Sequence, residues 1–228
     1  MWRFGVALGF GLVLLLPAAS VSDASSHHAA PATCAPGHAH IIVADAQAQV
    51  YLRAESLSPE PGGPYVSGGI FGCAYGRAQS HLLGGPYRAS ATGGGGVRME
   101  TLSGPVVAYE ASSAIGGEGQ AQAVSFMVVV RDLRSGRILH QVPTGTPVSN
   151  PFAIGVGRAV AIVLKTNAAV AWIAKAPPYE GTYQVHALDS TGSRLLATGA
   201  EIAPSSLALA GSTLYWTQGG EPMSAPLN

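Results

Sequence analysis

The sequence repeats one pattern of four short apolar segments separated by turns, and this repetition limits the fold more than any other feature. The clearest copy has predicted strands at 159–164, 169–174, 183–188 and 194–198. The segments are rich in Val, Ile, Leu and Ala, and the connections between them contain Asn, Asp, Gly or Pro, which is typical of strands joined by turns. The chain is therefore expected to be all-β and built from repeated small sheets.

Three further copies align with this one. Their predicted strands are, in chain order, 40–44, 48–52, 70–75 and 80–83 in the first copy, 105–109, 127–131 and 137–142 in the second, and 206–210, 213–216 and 222–227 in the last. We interpret the chain as three four-stranded units, the second of which is represented here by its second, third and fourth strands, and a fourth unit that lacks its last strand. This self-similarity predicts a repeat architecture.

An aromatic residue occupies the same place in the second strand of each copy. These residues are Tyr51, Tyr109, Trp172 and Trp216. The spacing between Trp172 and Trp216 is 44 residues, within the range of one propeller blade. Recurrence at one strand position predicts that these rings pack between blades, with ligand stacking as the alternative.

The predicted strands are apolar on both faces, as Val160–Leu164 shows. A strand of this kind suits a sheet that is covered on both sides. The blades of a β-propeller meet this condition because each blade packs between two others. The alternative is a β-sandwich, which would show a cleaner alternation of apolar and polar residues. The prediction is a propeller-like fold of about four four-stranded blades, the last one incomplete.

Two segments carry a resemblance to a known group of proteins. SLALAGSTLYWTQGGEPMSAPL and VRDLRSGRILHQVPTG resemble blades of bacterial secreted β-propeller proteins, and the likeness covers roughly Cys34 to Asn228. The resemblance implies a blade architecture and no particular activity. The WD signature of one propeller class is absent from the sequence.

The N-terminus has the features of a secretion signal. Arg3 precedes an apolar run from Phe4 to Leu16, and small residues follow Pro17, so residues 1–20 are predicted to be a cleaved signal peptide. Retention as a membrane anchor is the alternative, although the run is shorter than the roughly 20 residues that a spanning helix needs.

The remaining chain divides into a short lead-in and one domain. Residues 21–33 are small and polar and are expected to be a flexible lead-in, whereas residues 34–228 are expected to form the propeller-like repeat domain. The protein is therefore expected to be secreted or extracytoplasmic after signal cleavage.

The chain has two cysteines, Cys34 and Cys73. In an exported protein an even pair predicts a disulfide. A metal site formed by Cys34 with His38 and His40 is the alternative, but Cys73 already offers Cys34 a partner.

The charge balance and the motifs argue against several functional classes. The chain has 12 basic and 12 acidic residues and no basic cluster, so nucleic acid is not expected as a partner. No nucleophile motif is present, and Gly93–Gly96 lacks the Lys and Ser/Thr of a phosphate-binding loop. No catalytic residue, cofactor or metal site is assigned, and the chain is interpreted as more like a binding module than an enzyme.

The individual polar residues have structural interpretations. Asp45, Asp132 and Asp189 lie in predicted turns, where an Asp side chain bonds the local backbone. Glu110 and Glu55 follow second strands and are expected to face solvent. The strand histidines, His140 and His186, are interpreted as packed or surface residues. The histidines near the N-terminus are interpreted as weak adventitious metal ligands; they are His27, His28, His38 and His40.

The predicted connections differ in length at the two ends of the sheets. Long connections are predicted at 55–69, 86–97, 111–122 and 143–157, and short ones at 165–167, 189–193 and 210–212. Long loops on a rigid scaffold are where binding surfaces tend to form. We expect an exported, non-catalytic binding module for a protein or glycan ligand, with an extracellular glycan- or peptide-acting enzyme as the alternative. A homodimer through an open sheet edge is a further expectation.

Overall fold

The computed structural model describes residues 34–60, 63–85, 96–115, 123–145, 157–176 and 181–228, with the side chains of residues 54–67, 114–115 and 123–124 left undescribed. All described residues belong to one compact unit, Pro31–Asn228. The predicted signal peptide and the lead-in, residues 1–20 and 21–33, lie outside the described residues. In the described part of the chain, no helix is long and apolar enough to cross a lipid bilayer.

The described residues form fifteen strands. They are β1 His40–Ala44, β2 Ala48–Glu60, β3 Gly63–Ala74, β4 His81–Gly84, β5 Gly96–Ser103, β6 Val106–Ile115, β7 Ala123–Asp132, β8 Ile138–Pro143, β9 Arg158–Leu164, β10 Val170–Lys175, β11 Tyr183–Asp189, β12 Gly192–Gly199, β13 Ala208–Ala210, β14 Thr213–Gln218 and β15 Glu221–Pro226.

Consecutive strands pair into four separate antiparallel sheets. We name them sheet 1 (β1–β4), sheet 2 (β5–β8), sheet 3 (β9–β12) and sheet 4 (β13–β15), and in each the strand order follows the chain order. The predicted all-β class is confirmed, as is the division into three four-stranded sheets and one three-stranded sheet.

Side chains on alternate positions of a strand point to opposite faces, and this alternation divides the core into three layers. Between sheets 1 and 2, Val50 packs with Tyr109, and between sheets 2 and 3, Ala108 packs with Trp172. A third layer joins sheets 3 and 4 and contains Trp216. Sheets 2 and 3 are therefore apolar on both faces because each is covered by two neighbours.

Close packing between sheets 1 and 2 depends on a glycine. A Cβ atom on Gly72 would lie 2.6 Å from Cδ2 of Leu133, which is fully buried in the turn after β7. Any side chain at position 72 would therefore push the two sheets apart or displace Leu133.

The disulfide between Cys34 and Cys73 is confirmed. Cys73 lies in β3, on the face of sheet 1 that points away from sheet 2, next to its cross-strand partner Gln49. With its amide oriented to accept, the Gln49 side chain bonds the backbone N–H groups of Ala35 at 2.7 Å and Cys34 at 3.3 Å. The segment that starts at Cys34 is thereby held against sheet 1.

Two of the predicted long loops are wrong in part. The expected loop 55–69 is mostly a β-hairpin, because β2 and β3 stay paired as far as Glu60 and Gly63. In the same way, the first residues of the expected loop 111–122 belong to β6, which continues to Ile115. Pro59 faces Pro64 in the first hairpin. Proline has no N–H, so two facing prolines are tolerated where the paired residues of the two strands exchange no hydrogen bond. The Pro-rich composition therefore does not end these strands.

Candidate functional site at the seam of sheets 2 and 3

A β-bulge in the first strand of sheet 2 introduces charged residues into the stack of sheets. Arg98 pairs with Glu110, but the next regular pair is Thr101 with Ala108, so β5 has one more residue than β6 over this stretch. Met99 in the bulge has a φ of 61°, a left-handed conformation that side chains other than Gly rarely adopt. Bulges of this kind redirect side chains and are common beside functional sites.

The Glu110 carboxylate is fully buried, contrary to the expectation that it would face solvent. It accepts hydrogen bonds from Nε of Arg98 and from the backbone N–H of Ala159 in sheet 3. Arg98 Nη2 completes the junction by donating to the carbonyl oxygen of Ala159 at 2.6 Å. A buried charge is costly unless it is paired and hydrogen-bonded. These contacts therefore join sheets 2 and 3 through one buried ion pair.

Glu100, the other acidic residue of the bulge, is only half-buried. Burial raises the pKa of its carboxyl group, and this effect is opposed by a backbone hydrogen bond and by the positive charge of Arg98. A carboxyl group with a raised pKa in a partly covered position is a candidate proton donor.

A second polar group in the same seam surrounds the indole of Trp172. Its Nε1–H donates to the carbonyl oxygen of Thr144 at 2.5 Å, which connects β10 to the end of β8. The ring of His186 stacks on it with centroids 5.1 Å apart and planes 6° apart. Burial lowers the pKa of His186 to about 4, so this imidazole is neutral at physiological pH. His186 Nε2 lies within hydrogen-bond distance of Gln184 Oε1, at 3.1 Å.

A third contact closes the seam at its rim. The guanidinium of Arg158 lies 5.3 Å from the centroid of the Phe126 ring, a cation–π arrangement between sheets 3 and 2. The carbonyl oxygen of Phe126 accepts from the backbone N–H of Thr144 at 2.9 Å. Phe126 at the rim is therefore bonded to Thr144, the same residue that accepts the hydrogen bond from Trp172.

The seam lies at the end of the sheets from which the long connections leave. The strands β5 and β9 begin here and β8 ends here. Their connections, residues 86–95 and 146–156, lie outside the described residues. At the opposite end the turns are short: Lys165 and Ala169 close the β9–β10 turn with a 2.8 Å backbone hydrogen bond.

The four predicted aromatic residues all lie in the second strands and are at most 4% exposed. They are Tyr51 in β2, Tyr109 in β6, Trp172 in β10 and Trp216 in β14. Tyr109, Trp172 and Trp216 each belong to the core layer that joins their own sheet to the preceding one.

The turn role of the aspartates is confirmed. Asp45 accepts from the backbone N–H groups of Gln47 and Ala48, and Asp132 accepts from that of Arg134. Asp189 accepts from Thr191 N in its own turn at 2.9 Å and also from Asn228 N at 2.8 Å. These bonds lower the pKa of Asp132 and of Asp189 despite their desolvation. All three carboxylates therefore serve the scaffold.

Among the described residues, the other histidines named from the sequence are less buried than His186. His140 is half-buried on β8, whereas His38 and His40 are exposed. His27 and His28 lie outside the described residues. Within the described ranges, no three His, Cys, Asp or Glu side chains are grouped so that they could hold a metal ion.

Sequence reasoning missed the charged residues of the seam. Arg98 and Glu100 were not considered, and Glu110 was assigned to the surface. The available signal was a charged residue directly after the apolar strand segment Val106–Tyr109, because such a residue needs a partner if the strand is covered on both faces.

Comparison of the chain with protein-family models, curated proteins and solved structures produced no match. The function is therefore argued from the geometry of the seam and from the arrangement of the sheets.

Proposed function

We propose that this protein is an exported, non-catalytic binding module whose ligand contacts the long-connection end of a propeller-like stack of sheets. The observation that carries the proposal is the seam itself. The Arg98–Glu110 pair and the indole N–H of Trp172 form hydrogen bonds across sheets 2 and 3, so they hold the scaffold rigid where the long connections begin. Rigid elements that support long loops are the usual basis of a binding surface.

The propeller-like arrangement is supported by the order of the contacts. The first strands of sheets 1, 2 and 3 lie against each other, β1 against β5 and β5 against β9. The core layers connect sheet 1 to 2, 2 to 3 and 3 to 4. A sandwich would instead bury one face of each of two layers. Sequential stacking with neighbouring first strands is what blades arranged around an axis require.

The ligand is proposed to be a protein or a glycan that meets the rim of sheet 3. Arg158, Lys175 and Tyr183 pair with one another across β9, β10 and β11 at this end, and all three are half-buried. A cationic and aromatic row can bind hydroxyl groups, carboxylates and sugar or side-chain surfaces. Export agrees with the disulfide, since such bonds persist in oxidising compartments.

A binding screen with matched variants tests this proposal. The exported chain is screened against glycan and extracellular-protein arrays, and any ligand is then measured with Arg158→Ala and Tyr183→Ala. The control is Arg134→Ala, which removes the same charge from the exposed turn at the opposite end. We expect the rim variants to weaken binding at least tenfold and the control to change it little. Loss confined to Arg134→Ala would contradict the proposed location.

A second candidate function is supported by Glu100. Its raised pKa and its position beside the Arg98–Glu110 pair are the properties of a general acid in an extracellular glycan- or peptide-acting enzyme. Glu110 itself is less suited to proton transfer because its oxygens already accept from Arg98 and Ala159. Hydrolysis of a glycan or peptide panel by the wild-type chain, abolished by Glu100→Gln and kept in Glu221→Gln on exposed β15, would favour this enzyme over the binding module.

A further inference from the structure

The aromatic residues of the second strands reveal a directional rule in the stack. Tyr109, Trp172 and Trp216 each point toward the preceding sheet, where they pack among small and branched side chains such as Val50, Ala108 and Ala171. We define this aromatic-bearing side of each sheet as its leading face and the other side as its trailing face. Each of the three core layers joins one leading face to one trailing face.

Sheet 1 has a leading face, and no sheet precedes it among the residues that the structure describes. Val50 and Leu52 pack against sheet 2, so their neighbour Tyr51 belongs to the leading face. Tyr51 is in register with Ile41 on one side and with Phe71 on the other, and Phe71 is in register with Leu82. These four residues form an apolar row across all four strands of sheet 1.

The row is packed at its centre and open at its ends. The Tyr51 and Phe71 rings stack with centroids 5.7 Å apart, and the hydroxyl of Tyr51 bonds Ser80 at 2.9 Å. Ile41 is 42% exposed and Leu82 is 56% exposed. The disulfide-bonded segment at Cys34 lies over Gln49 and Cys73 on the same face but leaves the two ends of the row accessible.

Sheet 4 has the complementary open surface. Leu214 and Trp216 pack against sheet 3, so Tyr215 between them belongs to the trailing face. Tyr215 is 42% exposed and is paired with the small residues Ala208 and Ser224 on the flanking strands. The exposure of both Leu82 and Tyr215 shows that sheets 1 and 4 of one chain do not cover each other.

The free edge of sheet 4 is poorly suited to recruit a strand. Leu227 N donates back to Ser212 O at 2.9 Å, so odd-numbered residues of β15 direct their N–H groups toward β14. The even-numbered, outward positions of β15 are Pro222, Ser224 and Pro226, and proline has no N–H. Ser224 alone therefore offers a donor along this edge. An added partner is better accommodated by the sheet faces.

We propose that two copies of this chain close into one ring, with the trailing face of sheet 4 in each copy packed on the leading face of sheet 1 in the other. The contact continues the leading-to-trailing rule that joins the sheets within one chain. A four-stranded face about five residues long covers roughly 300 Å². One such contact is well below the ~800 Å² per partner of a standard interface, whereas two contacts approach it.

The mass of the exported full-length chain and of three variants tests the ring. Light scattering after size exclusion is expected to give twice the chain mass for the wild type. Leu82→Glu and Tyr215→Glu each place a charge in both contacts and are expected to give monomers. Leu195→Glu is the matched control, because Leu195 is 52% exposed on β12 outside the proposed contact, and it should remain dimeric.

Mixing the two disruptive variants separates the ring from other dimers. In a mixed pair, one contact joins an unaltered Tyr215 face to an unaltered Leu82 face, and the other contact carries both charges. Partial recovery of dimer in the mixture is therefore expected. A dimer in which sheet 1 of one copy packs on sheet 1 of the other would show no such recovery.

Several outcomes would overturn the ring. A wild-type monomer at every concentration tested contradicts it, as does a filament, which results when head-to-tail contacts do not close. If a variant fails to fold by circular dichroism, hydrogen exchange of the wild type decides instead: protection that rises with concentration in both β4 and β14 supports the ring, and unchanged protection refutes it.

Discussion

The indole of Trp172 and the imidazole of His186 stack nearly parallel, 5.1 Å apart, in the layer between sheets 2 and 3. They are directly paired residues of β10 and β11 and share one face of sheet 3. Because the indole covers one side of the imidazole, protonation of His186 would place a cation in an apolar layer. Burial accordingly lowers the pKa of His186 to about 4.

The depressed pKa of His186 predicts a loss of stability in mild acid. The unfolded chain binds a proton near pH 6.5 and the folded chain only near pH 4, so the free energy of unfolding should fall as pH drops through this window. Below pH 4 the loss reaches a constant value of about 3 kcal/mol, which is the difference between the two pKa values multiplied by 1.36 kcal/mol per pKa unit. Urea unfolding at a series of pH values measures it. His186→Phe should flatten the profile, whereas His140→Gln should keep the slope.

Removal of the Glu110 carboxylate should destabilise the fold strongly. Glu110→Ala leaves the Arg98 guanidinium and the Ala159 N–H without their buried acceptor, which typically costs about 3–5 kcal/mol. Arg98→Met combined with Glu110→Leu should regain part of this loss, because the cation and the carboxylate are then removed together while the Ala159 N–H still lacks its acceptor. Chemical denaturation of the single and double variants measures the coupling. A double variant no more stable than Glu110→Ala would contradict the account of the pair.

Sheet 3 was predicted from the sequence with few errors for a physical reason. Its strands from Arg158 to Gly199 are apolar on both faces, and its turns contain Asn167 and Asp189, so local composition and the final burial agree. The same agreement located the strands of sheets 1 and 4.

β5 was missed because its local sequence conflicts with its position. It follows the glycine run Gly93–Gly96 and contains Arg98 and Glu100, which are typical of exposed segments. Arg98 is accommodated between the sheets because its guanidinium donates to the carbonyl oxygen of Ala159 in another sheet. The local sequence does not identify a partner so far away in the chain, and for the same reason Glu110 was wrongly placed in solvent.

The disulfide predicts sensitivity to reduction. The Cys34–Cys73 bond spans 39 residues, and closing a loop of this size removes about 4 kcal/mol of unfolded-chain entropy in the chain-entropy model. Reduction should therefore lower the unfolding midpoint of the wild type. A Cys34→Ser/Cys73→Ser variant should have the lower midpoint with or without a reductant. If the midpoint of this double variant also falls in reductant, the effect does not arise from the disulfide.

The contact between Gly72 and Leu133 predicts a substitution and its rescue. A methyl group at position 72 would lie 2.6 Å from Cδ2 of the fully buried Leu133, so Gly72→Ala should destabilise the fold by about 1–3 kcal/mol through overpacking of the layer between sheets 1 and 2. Leu133→Ala alone leaves a cavity and should cost about 2–5 kcal/mol. The two substitutions combined should cost less than their sum, because the new methyl group enters the space that the leucine leaves. Thermal unfolding of the four proteins measures this coupling. Strict additivity would show that sheet 1 moves away from sheet 2 instead of pressing on Leu133.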